Sequence, residues 1–216
     1  MNKRTFFVLL LVAIIAAGTG MWFGQPSNPA ISGGSDKSMA KYTSITQYPK
    51  PKVIADFLLS DSDGKEFGLD NLRGRWSLLF FGFTHCPDIC PTTLSTMASV
   101  YRKLEKQLPA EKLPAIIFVS IDPERDHLEL IGSYVEFFAP EFTAVTGEHP
   151  QLTALTRQLG LLYTIEEHAP GVSDYIVDHS SGIILMNPDA ELVGLLRTPH
   201  DEQQISTDLL QLLSVD

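Results

Sequence analysis

The sequence predicts an α/β domain, and three features carry that reading. Two near-continuous apolar runs, residues 76–83 and 115–121, have the length of strands covered on both faces. Apolar residues between and after them recur at three- and four-residue spacing, the period of helices that turn one face to a core. A chain of 216 residues with 44% hydrophobic and 19% charged residues holds one ordinary domain, and is neither a disordered chain nor a polytopic membrane protein.

In chain order, the first apolar block is residues 5–23, which carry no charge and follow Lys3 and Arg4. At ~1.5 Å rise per residue this block nearly crosses a ~30 Å hydrocarbon layer. The two cations hold the amino end in the cytoplasm and send the remainder outward. Residues 1–23 are therefore expected to be a single-pass anchor, with Trp22 at the membrane interface. A cleaved signal peptide, with Ala16, Ala17 and Gly18 near the cut, is the competing reading. No Arg- and Ser-rich transit segment precedes the apolar run, so the expected location is the cell inner membrane with the domain facing the periplasm. Residues 24–52 carry Gly, Pro, Ser, Asn and Lys without hydrophobic period and are expected to be a flexible tether. Residues 53–216 remain as the domain.

Within it, residues 57–59 and 66–68 flank Asp63-Gly64, a hairpin signal. The first buried strand, 76–83, is followed by Leu94, Met97, Tyr101, Leu104 and Leu108, one face of a helix. The second, 115–121, runs parallel to it across that helix. Leu128, Ile131, Val135 and Phe138 mark another helix, for which Asp122-Pro123 is one candidate opening, and Leu152, Leu155 and Leu159 mark a third. Residues 183–186 and 191–196 bracket Pro188-Asp189 as an antiparallel hairpin, and Ile205, Leu209 and Leu212 line a last helix. Strand, helix, strand, helix, then hairpin and helix is the order of a thioredoxin-like domain.

With 16 Lys+Arg against 26 Asp+Glu the formal charge is −10, which argues against a nucleic-acid partner. Two cysteines exclude a disulfide-stapled scaffold and a multi-cysteine zinc module. Both lie in Phe83-Thr84-His85-Cys86-Pro87-Asp88-Ile89-Cys90-Pro91-Thr92, between the end of the central strand and the start of the first helix. Ligands bind at that end of an α/β sheet. Pro91 suits the first helical position, which places Cys90 at the cap, where the helix dipole favours thiolate. Three intervening residues allow a bridge, a redox pair or a shared metal; a structural disulfide is the plain alternative.

Two sulfurs are an incomplete site for most metals, and six histidines are available to complete it. His85 points away from its neighbour Cys86, and His127, His149, His168 and His200 read as solvated or capping residues. His179 differs. It sits in residues 175–182, immediately before the strand 183–186, and in a thioredoxin-like topology the loop there lies against the cysteine loop. It is therefore expected to face both thiols.

The motifs Phe81-Gly82-Phe83-Thr84-His85-Cys86-Pro87-Asp88-Ile89-Cys90-Pro91, Val119-Ser120-Ile121-Asp122-Pro123-Glu124-Arg125-Asp126 and Val177-Asp178-His179-Ser180 resemble, in that order, those of the Sco/SenC family of copper-binding assembly factors for cytochrome c oxidase. The resemblance spans about residues 53–210 together with the anchor-and-tether layout. It implies copper held by Cys86, Cys90 and His179, and delivery to the dinuclear copper site of oxidase subunit II or another thiol acceptor. His127 stands where family members often have Thr, a departure that touches no ligand. Two thiolates and one imidazole suit Cu(I); Cu(II) is also admissible, although it tends to oxidise the pair to a disulfide. With neutral His179 the loaded site carries a charge of −1, acceptable in a half-exposed loop.

Two other readings use the same cysteines. A thiol–disulfide oxidoreductase that prepares an acceptor's cysteines needs Cys86 and Cys90 as a redox-active disulfide but not His179. A peroxidase of the thioredoxin superfamily needs a Thr-x-x-Cys arrangement, and Thr84-His85-Cys86 is one residue short of it. Asp122, Arg125 and Asp126 read equally as a support or docking surface beside the metal and as local helix capping. Asp88 and Asp178 read as tuning carboxylates or as turn residues.

Overall fold

The computed structural model describes residues 42–214. The expected anchor and most of the expected tether lie outside the described residues. Among the described residues no helix is long and apolar enough to cross a membrane.

The centre of the fold is a parallel trio, β4 (Ser77–Gly82), β5 (Ala115–Ser120) and β6 (Thr143–Thr146), in one eight-stranded sheet. Every residue of β4 and β5 is buried, as their unbroken apolar composition requires. On one side β4 pairs antiparallel with β9 (Ile183–Met186), which forms a hairpin with β10 (Leu192–Leu196); on the other, β6 pairs with the hairpin of β2 (Leu58–Asp61) and β3 (Glu66–Gly68). A separate ribbon is made by β7 (Tyr163–Ile165) and β8 (Val177–His179).

The outer strand β1 (Ile45–Lys52) pairs with β10 and lies within the stretch expected to be tether; the compact unit begins at Tyr42 rather than Val53. Pro49, Pro51 and two lysines made this stretch resemble a linker, yet the same residues are tolerated on an edge strand, where one side of the ladder needs no donor. The ladder shifts register between Gln47 and Lys52, where the prolines sit. Buried Asp208 fastens the entry: its Oδ2 accepts from the Thr43 amide (2.8 Å), the Ser44 amide (2.6 Å) and the Ser44 hydroxyl (2.7 Å).

The helices are α1 (Ile89–Glu105), α2 (Leu128–Phe138), α3 (His149–Leu159) and α4 (Glu202–Leu213). α1 buries Leu94, Met97 and Leu104 as the spacing predicts, but it ends before Leu108. It also starts earlier than expected. Asp88 is its N-cap, so Cys90 lies in the first turn; Pro91 is accommodated there because the missing amide would have no intrahelical partner. α2 opens at Leu128 and not at Asp122-Pro123, with the His127 ring accepting from the Leu130 amide as its N-cap. α3 closes on Gly160, whose φ of 75° is the left-handed cap that glycine adopts without strain.

Candidate metal centre

The parallel strands end on one side of the sheet, and the two segments carrying the cysteines and the buried acids leave from there. Gly82 closes β4, and the chain turns through Cys86 into α1, with the Cys86 amide donating to the Phe83 carbonyl (3.3 Å). The Cys90 amide points at Cys86 Sγ (3.4 Å), a consequence of Cys90 entering the helix one turn after Cys86. Both cysteines are free thiols; Cys86 is 9% exposed and Cys90 fully buried. His179, the last residue of β8, places Nε2 3.6 Å from Cys90 Sγ. One sulfur from each cysteine and one imidazole nitrogen lie within 4.8 Å of one another, and no other group of three His, Cys, Asp or Glu among the described residues does so.

The His179 ring is held in the tautomer a ligand needs. Its Nδ1 is 3.1 Å from the Ser180 carbonyl, which only accepts, so Nδ1 carries the proton and Nε2 turns a lone pair toward the sulfurs. Phe80 and Phe83 stand edge-on to the ring, with centroids at 6.4 and 5.9 Å. Burial pulls the His179 pKa below its ordinary value, against the smaller opposing pulls of the Ser180 carbonyl and Asp178. The imidazole is thus neutral at neutral pH.

Cys90 departs from expectation. Burial pushes its thiol far above the ordinary range, where the helix end alone predicted an easily ionised one. Desolvation of a thiolate behind β4 outweighs the lowering pull of the Phe83 backbone, and the site is more enclosed than the half-exposed loop expected. A thiolate at Cys90 therefore needs a cation beside it. The donor set supplies room for one: a sulfur at ~2.3 Å and a nitrogen at ~2.0 Å from a shared ion stand ~3.7 Å apart at a trigonal angle, near the 3.6 Å between Cys90 Sγ and His179 Nε2. Two sulfurs and one nitrogen suit a soft ion, and binding releases protons.

Asp122 and Asp126 are fully buried, and neither caps α2. Asp126 accepts from the Thr84 amide (2.8 Å), the Thr84 hydroxyl (2.5 Å) and the Ser120 hydroxyl (2.6 Å), which ties the cysteine loop to the end of β5. Asp122 accepts from Arg125 Nε (2.5 Å) and from the Tyr175 hydroxyl (2.5 Å). The Arg125 guanidinium donates through Nη1 to the Ser173 and Tyr175 carbonyls (3.1 Å each) and lies 3.7 Å from the Tyr175 ring centroid and 5.5 Å from that of Phe83. One side chain thus grips the segment that leads into β8 and His179 and packs against the Phe83 ring that precedes Cys86. These acids and Arg125 are supports of the site.

The remaining sequence candidates lie elsewhere. His85 is half-exposed beside Thr84 and Asp126 (Nδ1–Oδ1 3.8 Å), and His200 meets the Thr93 hydroxyl (3.2 Å). His149 and His168 flank Glu124. Asp88 and Asp178 are exposed. The sequence reading missed Gly82 and Tyr175. A Cβ at Gly82 would stand 2.7 Å from Cys90 Sγ and 3.0 Å from Phe118 Cε2, so only glycine lets the sulfur reach β4. An isolated glycine inside an apolar strand run is the signal for such an approach. Tyr175 had no pattern to mark it.

The SCO1/SenC family model matches residues 45–214. The chain belongs to the SCO1/SenC family. It is 34% identical over 199 residues to the mitochondrial SCO2 homologue of Mus musculus, covering 91% of this chain and 74% of that one. Among solved structures, it is similar to copper-bound ScoI of Arabidopsis thaliana (33% identity, TM-score 0.68, 75% of this chain and 98% of that one) and to copper-bound yeast Sco1 (27% identity, TM-score 0.71, 77% and 91%). The mixed α/β fold of this SCO1/SenC protein matches those thioredoxin-like structures.

Proposed function

We propose that the protein binds copper through Cys86, Cys90 and His179 and passes it to the dinuclear copper site of cytochrome c oxidase subunit II. The observation that carries this reading is the convergence of two free thiols and one neutral, correctly oriented imidazole within 4.8 Å. The donor set fits Cu(I), and solved relatives hold copper. Oxidase subunit II as acceptor follows the family resemblance. The apolar block at residues 5–23, after Lys3 and Arg4, supports attachment to the inner membrane with the domain in the periplasm.

A second reading, a thiol–disulfide oxidoreductase acting on the acceptor's cysteines, is favoured by the proximity of the two free thiols. Replacing His179 by Ala separates the two. Copper carriage requires that the variant lose copper retention while disulfide reductase activity persists. Retained copper with an unchanged affinity contradicts the copper reading; loss of reductase activity alongside copper contradicts a reductase that works without His179.

A further inference from the structure

A second group of metal-ligating side chains lies outside the cysteine site. Glu124 on the β5–α2 connection, His149 at the first residue of α3 and His168 between β7 and β8 meet at the surface. His149 Nε2 is 3.6 Å from Glu124 Oε1, and His168 Nε2 is 3.8 Å from Oε2. Both separations are too long for hydrogen bonds, whose N···O distances reach about 3.2 Å. They are close to the ~3.4 Å between two ligands that each stand ~2.1 Å from one tetrahedral ion.

His168 is prepared for that role. Its Nδ1 lies 3.2 Å from the Ala169 carbonyl, which fixes the proton there and leaves the Nε2 lone pair facing Glu124. The ring stacks on Tyr175 (centroids 3.8 Å, planes 6° apart), the same tyrosine that Asp122 and Arg125 hold, and is only 11% exposed. The three groups border a surface cavity of about 490 Å³ that Glu166 and Glu167 also line, so its local charge attracts cations.

We propose that Glu124, His149 and His168 form a second, sulfur-free cation site for a borderline divalent ion, Zn(II) or Cu(II). Nitrogen and oxygen donors without thiolate favour those ions over Cu(I). Unlike the cysteine–histidine set, these donors do not yet surround one point. Closure requires Glu124 and His149, whose side chains are 49% and 38% exposed, to move onto His168. An ion held there ties the β7–β8 ribbon, which carries His179, to α3 and to the β5–α2 connection. The proposal does not depend on the copper reading.

The test uses the full chain in detergent with Cys86→Ser, Cys90→Ser and His179→Ala, so that the first site is disabled. Titration calorimetry with Zn(II) is expected to show one equivalent bound. His149→Ala and His168→Ala should each weaken binding about tenfold or more, and His85→Ala should leave it unchanged. With Cu(II), the electron paramagnetic resonance spectrum should carry nitrogen splitting from two imidazoles, reduced to one in His149→Ala. The His149 side chain is 38% exposed, and an unchanged melting temperature of its variant certifies the comparison. Failure of the background chain to take up Zn(II), or uptake that survives both histidine substitutions, overturns the proposal.

Discussion

Gly82→Ala tests whether the cysteine site depends on the close approach of Cys90 to β4. The added methyl would lie 2.7 Å from Cys90 Sγ, 3.0 Å from Phe118 Cε2 and 3.4 Å from Phe80 Cε1. Ordinary contacts are ~3.5–4.0 Å, so the sulfur must retreat by roughly 1 Å. Ligand distances in a metal site hold to about ±0.2 Å, and a displacement several times larger removes Cys90 from the shared position. The expected result is about a tenfold or greater fall in Cu(I) affinity, by competition with a chromophoric chelator under reducing conditions. Overpacking of a filled core costs about 1–3 kcal/mol, or about 2–12 °C of melting temperature for a domain of this size. Gly132→Ala is the control. Its Cβ would meet Ser62 Cβ at 2.9 Å, away from the cysteine loop, so it should lower stability and leave copper affinity alone. If Gly82→Ala binds copper as tightly as the native chain, the reasoning about Cys90 is refuted.

Other expectations follow from the supports of the site and from the edge strand. Arg125→Lys keeps the charge but not the fork that reaches Asp122 and two carbonyls, so copper affinity should fall by about tenfold; unchanged affinity would deny Arg125 a positioning role. Burial holds both His179 and His200 below their ordinary pKa, so on acidification the unfolded chain takes up these protons first. Their contribution is full well above the unfolded value of about 6.5 and declines as pH falls through it toward the folded values. The urea midpoint of the apo chain should therefore drop between pH 7.5 and 5.5, and drop less in a His179→Ala, His200→Asn double variant; an equal drop contradicts the assignment. Asp208→Asn weakens three donations to one carboxylate oxygen and should cost about 2 kcal/mol in urea unfolding, with faster amide exchange at Thr43 and Ser44. Exchange that does not change would mean that β1 is held by its ladder alone.

Much of this architecture is legible in the chain because burial leaves a periodic trace. β4 and β5 announce themselves by near-continuous apolar residues, and α1 by Leu94, Met97 and Leu104. From residue chemistry alone His179 is legible only through topology; Val177-Asp178-His179-Ser180 marks it as a ligand only through the resemblance of the three ordered motifs. β1 was hidden because prolines and lysines on an edge strand have the composition of a linker. The start of α2 is ambiguous in the sequence because Asp122-Pro123 carries an N-cap signal, whereas the buried carboxylate is committed to Arg125 and Tyr175. The acidity of Cys90 was misjudged for a similar reason: sequence reveals the helix end but not the depth at which Gly82 lets the sulfur sit.

X-ray absorption of the copper-loaded, reduced chain addresses the central claim most directly. The native chain is expected to hold one copper with two sulfur neighbours and one imidazole nitrogen, and His179→Ala to lose the nitrogen alone. A shell containing only sulfur in the native chain, or a nitrogen that persists when His179 is replaced, would contradict the claim.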